Sequence, residues 1–145
     1  MTSRPKGLAW IIGALLFAFL AQVVYWIAFF FTNSVQVRTD EVYLAFESAF
    51  PLADAWMAIF ALVGAFGLWR GRGWGFLFSL LSASSAVFLG LMDVLFNLNE
   101  GIYSIGGSET LIEIIINLLL LGLGPTIIVY LWKNRFTLVC SEIPS

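Results

Sequence analysis

The chain has 145 residues, of which 61% are hydrophobic and only 11% are charged. Soluble domains are about 45–50% apolar and about 25% charged, so this composition excludes an ordinary soluble protein and predicts an integral membrane protein. The sequence contains no histidine and a single cysteine, Cys140. It therefore excludes a Ser-His-Asp triad, a histidine-ligated zinc or haem site, an intrachain disulfide and a cysteine metal cluster, and no cofactor is expected.

Four apolar segments follow one another, and each is long enough to cross a hydrocarbon core ~30 Å thick at ~1.5 Å per residue. They cover about residues 8–31, 42–69, 74–98 and 111–132. The first is too long for the apolar part of a secretory signal, so it is predicted to be a retained span. The predicted fold is a single all-α membrane domain, an antiparallel four-helix transmembrane bundle that ends in a short cytoplasmic tail over residues 133–145.

The basic residues predict the orientation of this bundle. In a four-span chain, all of the seven basic residues except Arg38 fall on one side. The positive-inside rule places that side in the cytoplasm, so the chain is predicted to be a multi-pass protein of the cell membrane with both termini inside. The acidic residues favour the outer side, apart from Glu142 in the tail, and an acidic outer mouth attracts cations and amines. Tyr43 and Tyr103 are expected at the outer membrane interface.

Within each segment, the polar residues share a helix face with small residues when they are placed at 100° per residue. Small residues allow close helix contact in lipid, so these faces are predicted to point toward the neighbouring helices. The polar residues on them are Gln22 and Tyr25, then Glu47 and Asp54, then Asp93 and Asn97, and finally Glu113 and Asn117. For any one face, helix packing with a polar residue as hydrogen-bonding glue is an adequate alternative.

Depth within the membrane distinguishes these acids. Counting from the middle of each segment places Glu47, Asp93 and Glu113 in one layer, ~12 Å outward of centre, and Asp54 near the midplane. An ionisable group at the bilayer centre costs at least ~2.5–3.5 kcal/mol, so Asp54 indicates a functional site. Pro51 has no N–H to bond the carbonyl of Glu47, and it is predicted to kink the second helix and leave that carbonyl free.

Carboxylates that lie close together in a low-dielectric environment cannot all be ionised without compensation. The only basic residue on their side is Arg38, in a loop. The cluster is therefore predicted to hold protons, a bound cation or a cationic ligand, and oxygen ligands suit Ca²⁺, Mg²⁺ or Na⁺ better than zinc. The candidate ligand- or cation-binding residues are Glu47, Asp54, Asp93, Asn97, Glu113, Asn117, Gln22 and Tyr25, with Trp26 and Trp56 as further lining.

Three functions are compatible with this pattern. The first is a small membrane protein whose outward-facing carboxylate cavity binds or transports a cation, a proton or a small amine. The second is a membrane-embedded enzyme that acts on a lipid or isoprenoid, with one protonated and one ionised carboxylate as acid and base. The third is a structural or accessory subunit of a membrane complex. Expected partners are membrane lipids and either further copies of the chain or a membrane partner protein, whereas nucleic acid is not expected.

Overall fold

A computed structural model of the protein describes residues 4–32 and 35–139. Those residues contain no strand, and four helical segments are long and apolar enough to cross a membrane, as predicted: Leu8–Phe31, Glu41–Trp69, Gly73–Asn99 and Ser108–Lys133. The α-helices are α1 (Leu8–Phe31), α2 (Glu41–Glu47), α3 (Pro51–Trp69), α4 (Gly73–Asn99), α5 (Ser108–Lys133) and α6 (Arg135–Val139). A short 3₁₀ helix, Ile102–Ser104, connects α4 to α5.

The long helices pack in the order α1, α3, α4, α5. The two outer members of this row, α1 and α5, meet where α1 begins and α5 ends, and there the Tyr130 hydroxyl donates a hydrogen bond to the carbonyl of Lys6 over 3.1 Å. We call this the Arg70 end of the bundle, because the α3–α4 loop lies there, and the opposite end the Arg38 end. The apolar core fills the Arg70 end with buried side chains of Leu8, Ile11, Leu15, Ala61, Ala65, Leu68, Ala83, Ile127, Leu131 and Leu138.

Two glycines bring α3 and α4 into close contact in this core. A Cβ placed on Gly67 would lie 2.5 Å from the Cα of Gly75, which is closer than real Cβ contacts allow. Only glycine at these positions lets the two backbones approach so closely, as expected for small residues at helix contacts in lipid. The pair therefore fixes how α3 and α4 sit against each other at the Arg70 end.

The second predicted span is not one kinked helix. α2 ends at Glu47 and α3 begins at Pro51, with a tight turn between them. Proline is favourable at the first position of a helix, where no intrahelical N–H bond is required, so Pro51 starts α3 instead of bending a continuous helix. The predicted free carbonyl of Glu47 is also wrong, because that carbonyl accepts the N–H of Phe50 over 3.1 Å.

The segment after α5, predicted to be a short tail, begins with a helix. α5 continues to Lys133, and α6 follows it almost at once. Leu138 of α6 is buried in the apolar core, so this part of the predicted tail belongs to the packed bundle. Cys140 and Glu142, which the sequence places in the tail, lie outside the described residues.

Candidate functional site: a carboxylate cavity between the outer helices

A cavity of about 130 Å³ lies between α1 and α5, with α3 and α4 behind it, and it extends from the Arg38 half of the bundle to the apolar core. Four acidic side chains border it: Glu47 of α2, Asp54 of α3, Asp93 of α4 and Glu113 of α5. We refer to these as the four carboxylates, and to the space as the carboxylate cavity. Gln22 and Tyr25 of α1 complete its polar lining from the predicted set. Six of the eight residues selected from the sequence thus lie around one space.

α1 supplies hydrogen-bond donors to two of the carboxylates. The Tyr25 hydroxyl donates to Oε2 of Glu47 over 3.2 Å, and the Trp26 indole Nε1–H donates to Oδ2 of Asp54 over 3.0 Å. Asp54 also lies in the first turn of α3, where the positive end of the helix dipole favours a negative charge. The break between α2 and α3 therefore gives each acid its own helix terminus: Glu47 ends α2, and Asp54 lies in the first turn of α3.

Asp93 lies among the other three carboxylates, as Glu47 also does. It lies close enough to Glu47, Asp54 and Glu113 for its charge to interact with each of theirs. Glu113 is the most buried of the four, with 2% of its surface exposed. No hydrogen bond of normal geometry reaches its Oε1 atom from the described residues, although the Asn97 amide and the Tyr43 hydroxyl lie close to this carboxyl group.

The two predicted asparagines do not line the carboxylate cavity. The Nδ2 of Asn117 donates to the Tyr103 hydroxyl over 3.0 Å, on a separate apolar groove between α4 and α5. Asn97 is only 1% exposed, and its amide group lies beside the Tyr103 hydroxyl and the Glu113 carboxyl group. Both side chains therefore pack behind the carboxylates, and neither borders the cavity.

Two aromatic residues of the second span differ in their burial. Tyr43 is fully buried among protein side chains, and its hydroxyl accepts the N–H of Val37 over 3.3 Å. Its position four residues before Glu47 puts it on the same inward face of α2, which is a signal that the sequence did contain. Trp56 is 57% exposed and does not contribute to the cavity lining.

Sequence reasoning also missed a hydrogen bond that Ser82 makes between α4 and α3. Its hydroxyl, at the cavity wall on α4, donates to the carbonyl of Met57 on α3 over 3.0 Å. This bond ties α4 to α3 directly below the acids. The small-residue face of α4 indicated helix contact, but the position of the acceptor on α3 depends on the register between the helices, which the sequence does not specify.

The positive charge nearest to this half of the bundle is engaged elsewhere. The guanidinium of Arg38 pairs with Asp40 and with Glu100, the latter over 3.3 Å. The hydrogen bond from Arg38 to Asp40 raises the pKa of the guanidinium. Desolvation opposes ionisation of Asp40, but the Tyr43 N–H and Arg38 outweigh it and lower the pKa of this carboxyl. Within residues 4–32 and 35–139, no basic side chain is paired with any of the four carboxylates.

The site offers more acceptors than donors, because the Tyr25 and Trp26 donors are already used on Glu47 and Asp54. Such a set can hold a proton or a cationic group. The described histidine, cysteine, aspartate and glutamate side chains include no group of three or more that could hold a metal ion. Comparison of the chain with protein-family models, with curated proteins and with solved structures found no match.

Proposed function

We propose that this small polytopic membrane protein binds an organic cation, a protonated amine, in the carboxylate cavity. The observation that supports this most directly is the convergence of four carboxylates from four helices on one space, with no described basic side chain paired to them. Buried negative charge without compensation is costly, so a ligand that brings a positive charge is bound favourably.

An ammonium group suits the geometry better than a metal ion. A metal ion needs several oxygens at one point, and no three of the described acidic groups are arranged in that way. An ammonium group presents three N–H donors that point in different directions, so it can bridge acceptors spread around a cavity wall. The unsatisfied Oε1 of Glu113 is one such acceptor.

The distribution of basic residues indicates from which side of the membrane the ligand would enter. If the Arg70 end faces the cytoplasm, the carboxylate cavity is nearer the outer face and takes its ligand from that side. Release on the cytoplasmic side would require an opening through the apolar core at the Arg70 end. Binding is therefore the function we propose, and transport is a further outcome that uptake into proteoliposomes would show.

Equilibrium dialysis against protein in nanodiscs, with radiolabelled butylammonium and its neutral counterpart butanol, tests the proposal. We expect the protein to retain butylammonium above the level of empty nanodiscs and not to retain butanol. Asp93→Asn should weaken butylammonium binding about tenfold or more, because Asp93 interacts with all three other carboxylates and an ion pair of low solvent exposure is worth more than ~1.4 kcal/mol.

Glu41→Gln is the matched control for this measurement. Glu41 is exposed at the start of α2 and does not border the cavity, so its neutralisation removes the same charge without changing the site. Equal binding of butylammonium by the wild type and Asp93→Asn, or equal retention of butanol and butylammonium, would refute the proposed function.

A further inference from the structure

The carboxylates occupy only one end of their cavity. Toward the Arg70 end its wall is formed by apolar side chains, among them Leu15 of α1 and Leu123 and Ile127 of α5. The whole space, about 130 Å³, is close to the roughly 150 Å³ of an apolar cavity that holds a benzene molecule. Including its charged end, the site therefore has room for an ammonium group and the first few carbons of a hydrocarbon chain, and a longer chain must extend out of it.

The cavity opens on the side of the bundle between α1 and α5. These two helices are joined at the Arg70 end, and toward the Arg38 end the cavity lies between them. The α1 lining of the cavity includes three small residues, Ala14, Ala18 and Ala21. Ala21 is exposed, and Phe17 beside it is 51% exposed. In a bilayer this side of the bundle faces lipid acyl chains, so the opening leads into the membrane.

At the polar end of the cavity, one buried carboxylate oxygen has no hydrogen-bond donor within normal distance among the described residues. Glu113 is 2% exposed and borders the cavity, but its Oε1 has no partner among the described residues. Buried side-chain acceptors are nearly always hydrogen-bonded, so a donor from a ligand in the cavity would satisfy this carboxylate oxygen, in addition to the Asn97 amide and the Tyr43 hydroxyl beside it. Asp93 lies near enough to Glu113 to interact with the same charge.

We propose that the ligand is an amphipathic amine, whose ammonium group lies between Asp93 and Glu113 and whose hydrocarbon part lies along the apolar wall and leaves through the gap between α1 and α5 into the bilayer. This inference rests on the proposed function and specifies its ligand class and access route. The hydrocarbon part lies along the apolar wall because its burial there removes apolar surface from water, while the ammonium group stays with the four carboxylates, the acidic groups among the described residues that border the cavity.

Photolabelling locates the hydrocarbon part directly. The probe is decylammonium with a diazirine at its fifth carbon, and its neutral control is decanol with the same diazirine, each added to wild-type protein in nanodiscs. We expect the amine to label α1 around Ala18 and α5 between Leu120 and Leu123, about tenfold more than the alcohol does. Asp93→Asn should remove this preference, because the alcohol and the amine then partition alike.

A pair of substitutions on α1 tests the access route. Ala21→Trp places a large side chain at the opening and should slow labelling of the cavity about tenfold. Ala9→Trp introduces the same side chain at an exposed position of α1 that does not border the cavity, and should leave the rate unchanged. Should Ala21→Trp not fold, the positions of the label and the Asp93→Asn comparison still decide the question.

Equal labelling by amine and alcohol at these positions, or labelling confined to the outer surfaces of the helices, would overturn the inference. Butylammonium distinguishes this failure from failure of the proposed function. If butylammonium binds but the decyl probe does not label the wall between α1 and α5, the amphipathic ligand is wrong and the amine site stands. If neither amine binds, both proposals are wrong.

Discussion

Asp54 is the residue whose burial the sequence makes most costly, and the structure shows how this cost is reduced. Its Oδ2 accepts the indole N–H of Trp26 over 3.0 Å, and its place in the first turn of α3 adds a favourable helix dipole. A buried carboxylate with these partners is far less unfavourable than an isolated one. Trp26 therefore stabilises the site through the hydrogen bond that its indole N–H donates to Asp54.

Replacing Trp26 with phenylalanine should destabilise the folded protein by about 1–3 kcal/mol, because it leaves a buried oxygen of Asp54 without its donor. The free energy of unfolding in detergent, measured by chemical denaturation, checks this. Trp56→Phe is the matched control, since Trp56 is 57% exposed and does not border the cavity, and it should change stability by less than about 0.5 kcal/mol.

A double-mutant cycle separates this hydrogen bond from the loss of indole packing. In Trp26→Phe combined with Asp54→Leu, no unpaired oxygen remains, so the double variant should be more stable than the sum of the two single effects predicts. Additive effects within about 0.5 kcal/mol would show that the two side chains do not stabilise each other.

At the scale of the helices, the two ends of the bundle are packed differently. The Arg70 end is held by an apolar core and by the glycine contact between α3 and α4, whereas the Arg38 end contains the polar cavity and the break between α2 and α3. A tightly packed end can hold helix positions fixed while the other end keeps space for a ligand. We therefore expect the distance between α3 and α4 at the Arg70 end to affect the positions of Asp54 and Asp93.

Gly67→Ala tests this dependence. The added Cβ would lie 2.5 Å from the Cα of Gly75, so the helices must separate, at a cost of about 1–3 kcal/mol. We expect a lower melting temperature in detergent and weaker butylammonium binding in the same variant. Gly13→Ala is the control: no atom lies within 4 Å of the added Cβ, and alanine in this helix interior should stabilise the protein by about 0.5–1 kcal/mol. Equal melting temperatures for the two variants would contradict the packing argument.

At the scale of the whole molecule, the sequence was sufficient for much of the fold. Long apolar segments predicted the four candidate spans, since only that length crosses a bilayer as helix. Helical periodicity placed Glu47, Asp54, Asp93 and Glu113 on inward faces, and all four border one cavity. Both predictions use properties that are local to one helix, which explains why they could be made without knowing how the helices pack.

The features that sequence reasoning missed depend on contacts between segments, or on two local structures of similar free energy between which the local sequence does not discriminate. Pro51 is compatible with both a kinked helix and a new helix start, and the turn before it decides in favour of the start. Asn97 and Asn117 share a helical face with the acids, but neither borders the carboxylate cavity, because the rotation of each helix about its axis depends on packing between helices. The full burial of Tyr43 likewise depends on contacts that the sequence of one helix does not specify.

The orientation of the bundle in the membrane is a prediction from charge alone, and it can be tested on the whole molecule. The protein is first made free of cysteine by Cys140→Ser, and one cysteine is then introduced at each end, Ser104→Cys at the Arg38 end or Phe136→Cys at the Arg70 end. Both positions are exposed, so both can react. In intact cells a membrane-impermeant maleimide should label Ser104→Cys, and it should label Phe136→Cys only after permeabilisation. The reverse pattern would place the carboxylate cavity nearer the cytoplasm, and the ligand would then come from inside the cell.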